Sequence, residues 1–185
     1  RSSAILGSSC EMQFINYKKT ALLIFFLAFA VRFIYLNIPF LEPYNSSTRQ
    51  AVVGMVARNF YQHGFNFFYP EVDENGRGPY LFNAEMPIYS YLMALGYKLA
   101  GGVHEWVARS VSVLFSMGAL GFLYLLIRGM AGERMALAGL VFASFSPMNV
   151  ALGRSIQPEA TMIFGCVGAL YMFTRYVKSG RIAYY

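Results

Sequence analysis

Seven polar side chains stand out against an otherwise apolar chain: Glu42, Arg49, Arg58, Glu85, His104, Arg154 and Glu159. Carboxylates can act as general bases toward a hydroxyl or amine, and arginines can hold phosphate through charge-assisted hydrogen bonds. Glu42 is the only acid between Glu11 and Glu71. Its place just past the first greasy segment suits a base, although an interfacial acid with no role is an equally simple reading. Arg49 follows Asn45-Ser46-Ser47-Thr48, a run of helix-capping residues whose backbone N–H groups, with the arginine, would suit an anion. Glu85 and Glu159 each sit at the start of a proline-marked helix, where an acid is also favourable for electrostatic reasons alone. Arg154 is near enough to Glu159 for a local ion pair, and His104 stands alone in a turn.

These residues must be positioned by membrane helices. The 185 residues are 57% hydrophobic and 13% charged, with a mean hydropathy of +0.44. A soluble domain carries about 25% charge, so the chain reads as an all-α integral membrane protein. The net charge of +6 is then a matter of cytoplasmic lysines and arginines and not of nucleic-acid binding. Cys10 and Cys166 lie in unlike contexts and make no disulfide framework. No phosphate-cradling glycine loop, paired metal-spaced histidines or nucleophile elbow is present.

Four spans are expected: about Thr20 to Phe40, Val107 to Ile127, Met135 to Val150 and Ala160 to Val177. Residues 1–11 precede a natural-looking start at Met12 and are set aside; 12–40 carry the first span, 41–105 an external loop, and 106–185 three spans and a cytoplasmic tail. Arg32, in the outer half of span one, is read as snorkelling to the surface. Two amphipathic surface helices are expected in the long loop. The first runs from Arg49 to His63, with Val52, Val53, Val56 and Phe60 on one face. The second runs from Pro87 to Leu99, with a stripe of Ile88, Leu92, Leu95 and Leu99. It would reach only about 20 Å, against ~30 Å of hydrocarbon. The stretch 64–80 reads as loop. With the second helix flat, Lys18, Lys19, Arg128, Arg134, Arg175, Lys178 and Arg181 fall on one side, as the positive-inside rule prefers. Both termini are then cytoplasmic and the long loop faces outward.

The segments TRQ, ARNFY, GFNFFYP, EMPIYSYLMALGYKLAG, EWVARSVSVLFS, AGERMALAGLVFA and SPMNVALGRSIQPEA together resemble the N-terminal part of bacterial C-type glycosyltransferases, relatives of protein O-mannosyltransferases and aminoarabinose transferases. The resemblance covers nearly all of 12–185. It implies a multi-span enzyme of the bacterial inner membrane that moves a sugar from a polyprenyl-phosphate lipid to an acceptor outside the cytoplasm, with inversion. It implies Glu42 and Glu85 as catalytic acids. Arg49, Arg58, Arg154 and Glu159 would be substrate-binding residues. Glu85 and Glu159 would orient the arginines or a divalent metal, and the cofactor stays open. The chain departs from the pattern where relatives place an aspartate beside the Arg-Gln pair, here Ser46, Ser47 and Val52, and a lysine after the second acid, here Met86. Two other readings remain: a truncated, non-catalytic subunit of a larger membrane complex, and a lipid-binding or flipping protein.

Overall fold

The computed structural model describes residues 2–34, 36, 47–74, 77–81 and 85–180. Seven helices and one hairpin make up these residues: α1 (Ser2–Phe33), α2 (Ser47–His63), β1 (Glu71–Glu74), β2 (Arg77–Leu81), α3 (Ile88–Ala100), α4 (Glu105–Ala131), α5 (Glu133–Phe145), α6 (Pro147–Arg154) and α7 (Glu159–Ser179). The chain is an all-α integral membrane protein apart from that hairpin. Among the described residues α4 and α7 are long and apolar enough to cross a membrane, and α5 with α6 makes a third span if the bent pair counts as one. The expected first span, 20–40, begins in α1, which ends at Phe33 and presents Leu22, Leu23 and Phe26 outward; beyond it only 34 and 36 of that span are described.

α4 is the axis of the molecule because it takes part in two separate cores. Toward its C-terminal end Leu120 and Tyr124 pack with Ala21, Ile24 and Ala28 of α1 and with Ala136, Leu140 and Ala143 of α5. At its N-terminal end Val107 and Ala108 pack with Val53 and Ala57 of α2, with Tyr89, Met93 and Tyr97 of α3, and with Ile156. α7 lies along α4 through an aromatic ladder: Phe164 meets Phe115 and Phe122 at 5.2 Å each, and Phe122 meets Tyr171 at 5.7 Å. Small residues on α1 and α5 let those helices approach closely, the usual device for packing inside lipid.

Three local outcomes differ from the sequence reading. Arg32 does not snorkel. It is 1% exposed, and its guanidinium donates from Nε to Ser116 Oγ at 3.0 Å and from Nη1 to the carbonyls of Ala28 at 3.2 Å and Ser144 at 3.0 Å. The reason lies in the second difference. The expected third span is broken at Ser146, and α5 and α6 meet at a 63° bend. Pro147 has no N–H to donate and its ring clashes with the carbonyl four residues back, so the helix cannot run on. The last carbonyls of α5 then lack intrahelical donors. Arg32 takes that of Ser144, and Asn149 Nδ2 takes that of Ala143 at 3.3 Å. Within a membrane such groups must be met by protein. The junction is tight: a Cβ at Gly153 would collide with Ser116 Oγ and stand 3.1 Å from Arg32 Nε.

Third, part of the expected loop is a hairpin. β1 and β2 pair antiparallel with Glu71 opposite Leu81, Val72 opposite Tyr80 and Glu74 opposite Arg77, with an irregularity between Val72 and Glu74. Val72 drops into a core with Val56, Phe60 and Ala94. The Asn75-Gly76 dipeptide is the hairpin signal in the sequence.

The two loop helices form near their expected bounds, but their apolar faces are divided. On α2, Val53, Val56 and Phe60 are buried against protein. On α3 the packed face is Tyr89, Ser90, Met93, Ala94 and Tyr97, whereas Ile88, Leu95 and Leu99 of the leucine stripe are exposed. α3 thus packs one face on protein and leaves another, apolar face exposed.

Arg32→Met should lower the melting temperature in detergent. It leaves the Ser144 carbonyl and Ser116 without their donor, at about 1–3 kcal/mol for each buried group stranded. Arg32→Lys should restore only part of the loss, since an ammonium is a compact point donor and not a fork. A methionine variant as stable as the parent would show that the break does not depend on Arg32.

Cysteines at Asn66 and at Met130, both exposed, in a background lacking Cys10 and Cys166, report the orientation. An impermeant maleimide added from outside is expected to label position 66 and spare 130. The reverse pattern would invert the topology drawn from charge.

Candidate active site

Three of the sequence-selected residues come from distant parts of the chain and meet. Arg49, at the start of α2, donates from Nε and Nη2 to the same Glu85 oxygen at 3.0 and 2.6 Å, and from Nη1 to Glu159 Oε1 at 2.5 Å. Glu85 stands just before α3, and Glu159 is the first residue of α7. The arginine thereby joins the two loop helices to a membrane span.

The triad lies on a cleft of about 590 Å³ whose other walls are Met86, Ile88, Tyr89, Pro158, Thr161 and Met162. Its charged groups gather around Arg49, while Met86, Ile88, Pro158 and Met162 make an apolar wall. Two atoms there are buried without a hydrogen-bond partner, Glu159 Oε2 and Thr161 Oγ1. Arg49 is about half exposed, so its ion pairs add little to stability, ~0–1 kcal/mol each. They are better understood as holding a cation in place at the cleft.

The backbone under Glu159 is held by a buried polar chain. The Tyr89 hydroxyl lies 3.0 Å from the Ala108 carbonyl and 2.7 Å from Ser112 Oγ, and Ser112 Oγ donates to the Ser155 carbonyl at 2.6 Å. The Ile156 N–H donates to Gln50 Oε1 at 3.4 Å, which ties the residue next to Arg49 to the segment that leads into α7. Burial pushes the Tyr89 phenol well above its ordinary value, so it serves as a neutral hydrogen-bond donor. Tyr97 is likewise pushed up, to about 12.

The other selected residues lie elsewhere. Arg58 donates to Asp73 Oδ2 at 2.5 Å, on the hairpin. Nine residues on a helix is about 2.5 turns, which sends Arg49 and Arg58 to opposite faces of α2. The Arg154 carbonyl accepts from Arg109 Nη1 at 3.3 Å, and Glu159 is paired with Arg49. His104 stacks on Trp106 at 6.1 Å. Glu42 lies outside the described residues. No cluster of three or more His, Cys, Asp or Glu with metal-holding geometry occurs among the described residues. Sequence reasoning passed over Tyr89, Ser112 and Thr161, whose types are common in helices and whose roles depend on neighbours distant in the chain.

A helical membrane protein with a paired arginine at an apolar cleft beside the end of a span is the class that fold and site define. The family model for dolichyl-phosphate-mannose-protein mannosyltransferases matches residues 84–185, more than half of the chain. The chain belongs to that family. It is similar to two proteins of Bacillus subtilis (strain 168). One, "Putative mannosyltransferase YkcB", is 26% identical over 117 residues, which is 63% of this chain and 16% of that protein. The other, "Putative mannosyltransferase YycA", is 22% identical over 134 residues, or 72% and 18% respectively. The chain thus spans less than a fifth of the length of either relative. No solved structure matches it.

Tyr89→Phe should leave the cleft residues in place but remove the shared hydroxyl, costing about 1 kcal/mol for a net hydrogen bond. Thermal unfolding in detergent reads the loss. A larger effect on ligand binding at the cleft than on melting would show that the chain to Ser155 positions Glu159.

Proposed function

We propose that the chain forms part of a membrane glycosyltransferase that moves a sugar from a polyprenyl-phosphate lipid to an acceptor on the external face of the bacterial inner membrane. The observation that carries this reading is the meeting of Arg49, Glu85 and Glu159 at an apolar-walled cleft beside the start of a span. A polyprenyl-phosphate sugar has the matching parts: a phosphate for the arginine and a hydrocarbon chain for Met86, Ile88, Pro158 and Met162.

In the transfer the bond between the anomeric carbon and the phosphate oxygen breaks, and its electron pair leaves with the phosphate. The acceptor oxygen bonds to that carbon and gives its proton to a carboxylate. Arg49 faces the charge growing on the leaving phosphate, where a fixed cation in a partly dry site is most effective. Glu85 and Glu159 hold the guanidinium in register and yield some of its donors to the phosphate. Glu42 is assigned as the base from its place in the sequence, with Glu85 as the second catalytic acid. Arg58 and Arg154 take supporting roles outside the cleft. A mannosyl donor is the first to test, since both relatives carry that word in their names.

Arg49→Ala is expected to weaken donor binding about tenfold or more, because a charge-assisted contact to phosphate contributes about 1.5–3 kcal/mol and each decade is about 1.4 kcal/mol. Glu42→Gln is expected to spare donor binding and melting temperature while cutting turnover by about 10²–10⁴-fold. The measurement is sugar transfer from a polyprenyl-phosphate donor in membranes. Unchanged donor affinity in Arg49→Ala would remove the phosphate role, and a fully active Glu42→Gln would place the base elsewhere.

A further inference from the structure

A second cavity, away from the Arg49 cleft, has a different chemistry. It measures about 320 Å³ and lies between the C-terminal turn of α2, the segment 64–70 and the start of β1, with Asn59, His63, Asn66, Tyr69 and Glu71 on its walls. Its size is at the lower end of the roughly 300–1,000 Å³ typical of small-molecule sites. Asn59 is 2% exposed. Its Nδ2 donates to the Glu71 carbonyl at 3.0 Å and reaches Asp73 Oδ1 at 3.4 Å. Both partners are acceptors, so the amide cannot be turned over without opposing oxygen to oxygen. Its Oδ1 is therefore a true carbonyl oxygen, buried and without a partner. That oxygen is enclosed by protein, so Asn59 gives the cavity a fixed polar floor and not an open acceptor.

The rest of the wall suits the same kind of ligand. Glu71 Oε2 and His63 Nδ1 lie 2.9 Å apart at the wall. Asn66 contributes an amide on an exposed residue. Tyr69 offers a ring that is 56% exposed, with Phe68 beside it at 83%. The nearby cation, Arg58, is committed to Asp73. The described wall thus carries a carboxylate, an imidazole and the Asn66 amide, flanked by an aromatic face, and no arginine or lysine stands among the described residues that line it. A phosphate would find little there. A ring bearing several hydroxyls would find acceptors for its O–H groups and an aromatic surface for its C–H face.

We propose that this cavity is a binding subsite for a neutral saccharide unit. It stands ten residues along α2 from Arg49, about 15 Å at the α-helical rise, so one rigid helix carries both the phosphate-facing arginine and the saccharide site. The sugar has two possible sources, an acceptor glycan or the head of the lipid-linked donor, and they differ in their dependence on Arg49.

The test is binding of methyl α-mannoside and of a mannose disaccharide to the protein in detergent, by saturation-transfer NMR and calorimetry, beside binding of a polyprenyl-phosphate sugar. Tyr69→Ala and Glu71→Gln should each weaken saccharide binding about tenfold with little change in melting temperature, because Tyr69 is exposed and the partly exposed Glu71–His63 pair adds little stability. Saccharide binding that survives Arg49→Ala supports the site with an acceptor as its source. Binding seen only for the lipid-linked sugar, and weakened by both Arg49→Ala and Tyr69→Ala, supports it with the donor as source. Two results overturn it: no saturable binding of any of these probes, or binding that neither Tyr69→Ala nor Glu71→Gln alters. Failure of the Arg49 variant alone would count against the phosphate role and leave the saccharide site standing.

Discussion

The break between α5 and α6 is the constraint on which the rest of the structure depends. A helix broken at a proline leaves carbonyls without intrahelical donors, and lipid cannot supply them. Arg32 of α1 and Asn149 of α6 meet two of them, so the first helix in the chain stabilises an irregularity far away in sequence. A buried arginine is costly by itself, and its hydrogen bonds offset that cost only when all its neighbours are in place. Arg32, Ser116, Ser144 and Gly153 accordingly form a close junction of four helices, α1, α4, α5 and α6.

The bend has a second effect. It sends α6 aside and brings residues 155–158 against the core at the N-terminal end of α4, where Ile156 is buried and Ser155 accepts from Ser112. α7 then begins beside α2. Glu159 reaches Arg49 because the preceding turn is anchored by Ser112 and Gln50. The site is therefore assembled from two halves. One is the loop domain of α2 and α3, and the other is the end of a membrane span, with α4 running through both.

The energetics of the two halves are unlike. The cores are apolar and close-packed, and they supply the stability. Arg49 is half exposed, and its ion pairs supply little. A cation balanced between two carboxylates, next to a buried carboxylate oxygen and hydroxyl with no partners, is suited to exchange of partners with an anionic ligand at modest cost. This is the division of labour expected when binding groups are mounted on a rigid frame.

Composition and hydropathy by themselves determined the class, an all-helical membrane protein, and the period of apolar residues placed α2, α3, α4 and α7 near their observed bounds, because a bilayer accepts few structures and demands long apolar runs. Residue type at helix starts also marked Arg49, Glu85 and Glu159, since capping runs and proline-started turns are local signals. The tertiary structure decided which of the marked residues meet. Arg58 was as eligible as Arg49, yet it faces the hairpin because helical phase turns it away. Arg32 looked like a surface residue because the freed Ser144 carbonyl that helps hold it is more than 100 positions further along the chain. Which face of α3 packs on protein and which stays exposed likewise depended on α2 and α4 being in place. Local pattern sets what a segment can form, and long-range contact sets what its side chains touch.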